Sequence, residues 1–123
     1  MLVLSDICGK CNNICNSIYF QRNFKYWTSG INDVDEFIQN TQLSAHDYAS
    51  DALEWVPYDR FHDIKYIAKG GYGEVYQAIW TDGYITEWNN RNNNWERESK
   101  YKFVALKSLN NSKNITLEFM NEV

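Results

Sequence analysis

The order of polar and apolar side chains after Asn32 predicts a short helix in the first part of the chain. Asp33 and Asp35 suit a first helical turn, where acidic side chains interact favourably with the helix dipole. The apolar Val34 and Ile38 follow at helical spacing. This segment is therefore expected to be a helix with one apolar side.

A second helical stretch is predicted over residues 44–55. Pro57 is the only proline in the chain, and the residue before a proline is pushed out of the α-helical region. The helix is therefore expected to end before Pro57, which is also the natural domain boundary. The apolar side of this helix would consist of Tyr48, Ala49, Ala52, Leu53 and Trp55.

After Pro57 the pattern changes to short segments rich in β-branched and aromatic residues. These segments predict three strands over residues 64–68, 74–80 and 102–109. The first two are joined by residues 69–73, a glycine-dense link short enough for an antiparallel hairpin.

A polar stretch over residues 81–101 separates the second and third predicted strands. Trp88 and Trp95 flank its asparagine-rich centre. The stretch fits either a long hairpin extension whose aromatic side chains pair across two strands, or a solvated loop. The hairpin is favoured.

The end of the chain again has a helical pattern. Asn114 is a candidate N-cap. The apolar stripe that follows it consists of Ile115, Phe119, Met120 and Val123.

Composition and charge restrict the class of protein. The chain has 123 residues, of which 44% are hydrophobic, and this supports one folded domain rather than a disordered segment. The net charge is −4 and no dense run of Lys or Arg occurs, so no nucleic-acid or membrane partner is expected. The apolar start over residues 1–4 is too short for a signal peptide, and a cytoplasmic location is expected.

Three cysteines, Cys8, Cys11 and Cys15, are crowded near the start of the chain. An odd number at this spacing does not predict a disulfide framework, so reduced thiols are expected. A structural zinc site needs four ligands, and His46 and His62 are distant in sequence. The sequence therefore predicts no metal site, although zinc binding by the three cysteines stays open. Both histidines are expected on the surface and without a catalytic role.

The segment over residues 67–75 matches the pattern G-x-G-x-x-G-x-V, with Ala68 in place of the first glycine. Glycines suit such a loop because backbone N–H groups must approach phosphate oxygens closely. A dinucleotide-binding loop would run directly into a helix, whereas a strand is predicted here. The methyl group of Ala68 is expected to cost on the order of 1 kcal/mol if the position needs glycine-like angles. The candidate nucleotide-contacting residues are Ile67, Ala68, Lys69, Gly70, Gly71, Tyr72, Gly73 and Val75.

The third predicted strand contains Val-Ala-Leu-Lys at residues 104–107, close to the V-A-I-K strand motif. Period-two geometry places Ala105 and Lys107 on one face, where Ala105 could pack on an adenine ring and Lys107 could reach the phosphates. Glu122 is the candidate ion-pair partner of Lys107, and Glu118, one helical turn earlier, remains an alternative.

These motifs, in this order, give residues 58–123 a resemblance to the N-terminal lobe of a eukaryotic-type protein kinase. Residues 1–57 are similar to the leader that precedes the kinase domain in a large set of fungal kinases, in which a cysteine-rich candidate zinc element comes first. Compared with those relatives, the element looks shortened here, as a degenerate remnant would. The resemblance implies ATP as ligand, and an intact relative would use Mg-ATP to phosphorylate Ser, Thr or Tyr in proteins.

The chain has no His-Arg-Asp and no Asp-Phe-Gly motif, which in kinases supply the catalytic base and the Mg²⁺ ligands. No catalytic residue is therefore assigned, and whether the chain alone is an enzyme stays open. The expected fold is α+β, the antiparallel sheet of a kinase small lobe with the start of its regulatory helix, preceded by a helical leader. The expected function is ATP binding without phosphotransfer. A non-catalytic module that docks another kinase or a scaffold protein is the alternative, and a truncated gene product is a third possibility.

Overall fold

The apolar stripe that begins at Val34 forms a helix in the computed structural model of the chain, which describes residues 1–2, 7–70 and 73–109. Helix α2 spans Asn32–Leu43, and its side chains at four-residue intervals, Val34, Ile38 and Gln42, are buried. A shorter helix, α1, spans Asn16–Arg22 and packs against α2. The sequence pattern did not predict α1, because seven residues are too few to show a helical period.

The second predicted helix, over residues 44–55, is wrong. The chain forms only a 3-10 turn there, at Ala49–Asp51. Leu53 is held instead by side chains of α2: its N–H donates to Thr41 Oγ1 at 3.0 Å, and its carbonyl accepts from Gln42 Nε2 at 2.9 Å. These bonds replace the helical bonds of Leu53, so tertiary contacts override the local helical pattern. Further 3-10 turns lie at Phe24–Tyr26 and Tyr58–Arg60.

A three-stranded antiparallel sheet follows, with strand order β1-β2-β5. Its strands are β1 at Phe61–Gly70, β2 at Gly73–Trp80 and β5 at Lys102–Leu109. The three predicted strands and the hairpin between the first two are therefore confirmed. Strand β1 is longer than predicted because Phe61 and His62 also pair with the end of β2, and Lys69 and Gly70 pair with its start.

The polar stretch between β2 and β5 forms the predicted hairpin. Strands β3 at Tyr84–Asn89 and β4 at Asn94–Glu98 make a second, two-stranded sheet. The rings of Trp88 and Trp95 meet edge to face with centroids 5.1 Å apart. The predicted cross-strand aromatic pair is thus confirmed.

The chain divides into two units. The first unit contains Met1–Trp55 and the hairpin residues Ile85–Glu96, and the second contains Val56–Tyr84 and Arg97–Val123. The described architecture is α+β, with two helices and two sheets. Among the described residues, no helix has the length and apolar character that a membrane crossing requires.

The core of the first unit combines helix and hairpin side chains. Phe20 of α1 is buried with Ala45, Ala49 and Ile85. Trp95 packs on this group, with its ring centroid 4.4 Å from that of Phe20. The hairpin therefore supplies two side chains, Ile85 and Trp95, to the core that the helices begin.

The buried face of α2 gives a direct test of this core. Ile38 is 1% exposed, so Ile38→Ala is expected to destabilise the first unit by about 2 to 5 kcal/mol through lost burial and a cavity. Leu43→Ala on the same helix is the control, because Leu43 is 37% exposed, and its expected cost is about 1 kcal/mol or less. Urea unfolding followed by tryptophan fluorescence measures both, since four of the five tryptophans belong to this unit. Equal costs would contradict the assigned orientation of α2.

The turn before β3 depends on a glycine. Gly83 has φ +74°, and a Cβ atom there would lie 2.0 Å from the carbonyl oxygen of Glu98. Gly83→Ala is therefore expected to cost at least about 2 kcal/mol, measured by thermal unfolding followed by circular dichroism. Gly9→Ala is the control, because a Cβ at Gly9 meets nothing within 4 Å. An unchanged melting temperature for Gly83→Ala would contradict this turn geometry.

Candidate metal centre and nucleotide-binding strands

The first two cysteines lie in a tight loop that closes on itself. The N–H of Cys8 donates to the carbonyl of Asn13 at 2.8 Å, and the N–H of Asn12 donates to the carbonyl of Cys8 at 2.8 Å. Asn12 has φ +58°, a left-handed conformation that asparagine tolerates better than most residues. This turn brings the side chains of Cys8 and Cys11 to one side of the loop.

The third cysteine marks the start of α1. Cys15 is the N-cap residue, and its carbonyl accepts from the N–H of Ile18 at 3.1 Å. Its Sγ lies 2.9 Å from the hydroxyl oxygen of the buried Ser17. Both contacts hold the thiol of Cys15 in a defined direction.

The side chain of His46 reaches the three cysteines from beyond the C-terminal end of α2. The neighbouring Ala45 is buried, and its N–H donates to the carbonyl of Gln42 at 3.2 Å. The side-chain amide of Asn16 donates to the carbonyl of His46 at 3.2 Å. The backbone at position 46 is therefore fixed from two sides, one of them the first residue of α1.

Three sulfur atoms surround one ring nitrogen. The Nδ1 of His46 lies 3.4 Å from Cys8 Sγ, 3.5 Å from Cys11 Sγ and 3.4 Å from Cys15 Sγ. The four candidate ligand atoms all lie within 4.8 Å of one another. All three cysteines are free thiols.

Hydrogen bonding alone does not account for this arrangement. One imidazole nitrogen has either one hydrogen or one lone pair, so it cannot form good hydrogen bonds to three sulfurs at once. A tetrahedral ion with Zn–S of about 2.3 Å and Zn–N of about 2.0 Å would hold nitrogen and sulfur about 3.5 Å apart. The observed separations of 3.4–3.5 Å match that spacing.

The pKa values of the three thiols and of His46 are shifted from their usual values. Hydrogen bonding from the backbone of Cys11 lowers the pKa of Cys8 to about 6, against a smaller opposing effect of desolvation. Desolvation, together with the neighbouring thiols, raises the pKa of Cys11 to about 11. Hydrogen bonding to Cys15 is the main reason why the pKa of His46 is raised.

The sequence analysis set His46 aside because of its distance from the cysteines. In the structure its Nδ1, 31 residues beyond Cys15, lies with the three sulfurs as a fourth candidate ligand atom. His62 lies exposed in β1 and is not part of the cluster. Local spacing could not separate the two histidines, because the choice depends on how α1 packs against α2.

Those candidate nucleotide-binding residues that the structure describes lie on the three-stranded sheet of the second unit. Ala68 of β1 pairs with Val75 of β2, and Val75 pairs with Lys107 of β5. Directly opposed residues of antiparallel strands project to the same face, so these three side chains form one row across the sheet. Ala105, two residues before Lys107, lies on the same face opposite Gln77.

Two positions near the glycine link, Gly73 and Ala68, differ in backbone conformation. Gly73 has φ +150°, which side chains rarely adopt, whereas Ala68 has no positive φ. The methyl group of Ala68 therefore imposes no strain of the kind expected from a glycine-requiring position. Lys69 pairs with Glu74 and Gly70 pairs with Gly73, so the strands remain paired up to the turn.

The remaining candidates have different positions. Ile67 lies at an irregularity in the β1–β2 register and is 55% exposed. Gly71, Tyr72, Glu118 and Glu122 lie outside the described residues, so the predicted loop tip and the ion pair with Lys107 stay predictions.

Comparisons of the chain with protein-family models, with curated proteins and with solved structures give no match. The function is therefore inferred from the residues and their geometry.

Proposed function

We propose that the β1–β2–β5 sheet is the nucleotide-binding face of a protein-kinase-like small lobe that binds ATP without transferring phosphate. The observation that carries this proposal is the row formed by Ala68, Val75 and Lys107. Lys107 lies on this face, directly opposite the strand that follows the glycine-rich link. From this position one cation can contact phosphates that the backbone amides of the loop bind.

The chemistry of the face supports an adenine as well as a phosphate subsite. Val75 is half-buried, and Ala105 is small and exposed beside it. An adenine ring could pack on these apolar side chains while its phosphates extend toward Lys107. The opposite face has a different character, because Tyr66 and Tyr76 pair there with ring centroids 5.8 Å apart.

Binding by this sheet alone is expected to be weak. Lys107 and the loop amides would oppose the triphosphate charge in a chain whose net charge is −4. We expect a Kd for ATP on the order of 1 mM, which corresponds to about −4 kcal/mol.

A nuclear magnetic resonance titration tests this function. ATP is expected to shift the amide resonances of β1, β2 and β5. Lys107→Ala should weaken ATP binding about tenfold, because it removes the cation that contacts the phosphates. Adenosine, which has no phosphate, should bind the variant and the wild type equally.

Lys102→Ala is the matched control for this titration. Lys102 lies on the same strand but on the opposite face, with its Nζ 5.5 Å from the ring centroid of Tyr84. Its loss should leave ATP binding unchanged. Equal ATP affinities for Lys107→Ala and wild type, or no shifts in the three strands, would contradict the nucleotide site.

The second candidate function is a non-catalytic module that docks another kinase or a scaffold protein. The observation that favours it is the exposure of apolar side chains on β5 and β1, since Phe103 is 66% and Ile67 is 55% exposed. This function does not need Lys107. Absence of any ATP effect, together with unchanged folding of Lys107→Ala, would favour it over nucleotide binding.

A further inference from the structure

We propose that Cys8, Cys11, Cys15 and His46 bind one Zn²⁺ ion as a structural centre of the first unit. Three thiolate sulfurs and the Nδ1 atom of His46 would be the ligands. In the complex the three cysteines are thiolates and His46 is neutral, so whatever protons these groups carry beforehand pass to solvent, and the zinc with its four ligands has one net negative charge.

The ligand set selects zinc by its chemistry. Three soft sulfur ligands and one imidazole in a four-atom cluster are typical of structural zinc sites. The ligand atoms lie within 4.8 Å of one another, close enough for one ion to contact all four. Because four protein ligands complete a tetrahedron, no coordination position is left for a substrate, which indicates a structural ion.

The positions of the ligands show what the ion would hold together. Cys8 and Cys11 belong to the closed loop, Cys15 caps α1, and His46 follows α2. The seven-residue α1 is shorter than the roughly 12–15 residues at which isolated helices become even marginally stable. A metal bond at its first turn would fix α1 relative to the end of α2.

Buried neighbours and hydrogen bonds already hold the candidate ligands in position, as a structural ion requires. Cys8 is buried, and the adjacent Ser17 and Ala45 are buried as well. Ser17 contacts the sulfur of Cys15, and Asn16 holds the carbonyl of His46. Such outer contacts orient the ligands before the metal arrives.

The first test measures metal in the full-length chain purified under reducing conditions without chelator. Elemental analysis is expected to find one zinc ion per chain, and X-ray absorption of the bound zinc should give a first shell of three sulfurs and one nitrogen. Absence of zinc after refolding with one equivalent of ZnCl₂, or a first shell dominated by oxygen, would overturn the proposal. This test needs no variant, so it does not depend on whether substituted chains fold.

The second test assigns the ligands with Co²⁺ as a spectroscopic probe. The wild-type chain should show the intense visible bands of tetrahedral cobalt and a thiolate charge-transfer band. His46→Cys should keep a tetrahedral spectrum with a stronger charge-transfer band, because a fourth thiolate replaces the imidazole. Cys11→Ser and His46→Ala should lose more zinc affinity than the roughly 10- to 100-fold that loss of an outer-shell partner costs.

His62→Ala is the matched control, because His62 is exposed on β1 and absent from the cluster. It should bind Zn²⁺ with wild-type affinity and keep the wild-type cobalt spectrum. If His62→Ala lost the metal while His46→Ala retained it, the assigned ligand set would be wrong. The ATP titration is independent, since Lys107 belongs to the second unit and the metal ligands to the first.

Discussion

The convergence of three cysteine sulfurs on the Nδ1 atom of His46 is the contact on which the organisation of the first unit depends. It brings together the closed loop of Cys8 and Cys11, the first turn of α1, and His46. His46 lies shortly after the end of α2, next to the buried Ala45. Each of these segments is short, and none of them buries a large apolar surface alone. A zinc ion at this point would supply the covalent-like link that small cores commonly need.

The hairpin β3–β4 completes the core of the first unit, which the two helices do not fill alone. Its residues Ile85 and Trp95 enter the core around Phe20, and Trp88 stacks on Tyr19 with ring centroids 4.7 Å apart. A connection between two strands of one sheet thus contributes the aromatic surface that covers α1. The asparagine-rich tip remains polar, and its Asn90 Oδ1 accepts a hydrogen bond from the hydroxyl of Tyr19 on α1 at 3.3 Å.

The second unit follows local rules more closely. Alternation of side chains, a glycine turn and paired strands produce a register in which Ala68, Val75 and Lys107 share one row. The proposed nucleotide site and the proposed zinc site therefore depend on different forces. The first depends on strand pairing, including that of β2 with β5 across the intervening hairpin, and the second depends on the packing of two helices that places distant ligands together.

The sequence by itself determined the three strands of the main sheet, helix α2, the hairpin and the face shared by Ala105 and Lys107. Short-range periodicity and turn chemistry encode these features, because each involves residues close in the chain. Only the tertiary structure decided that residues 44–55 are not a helix, since side chains of α2 hold Leu53 in another conformation. It also decided which histidine joins the cysteines, because a ligand contributed from 31 residues away has no local pattern and depends on how the helices pack.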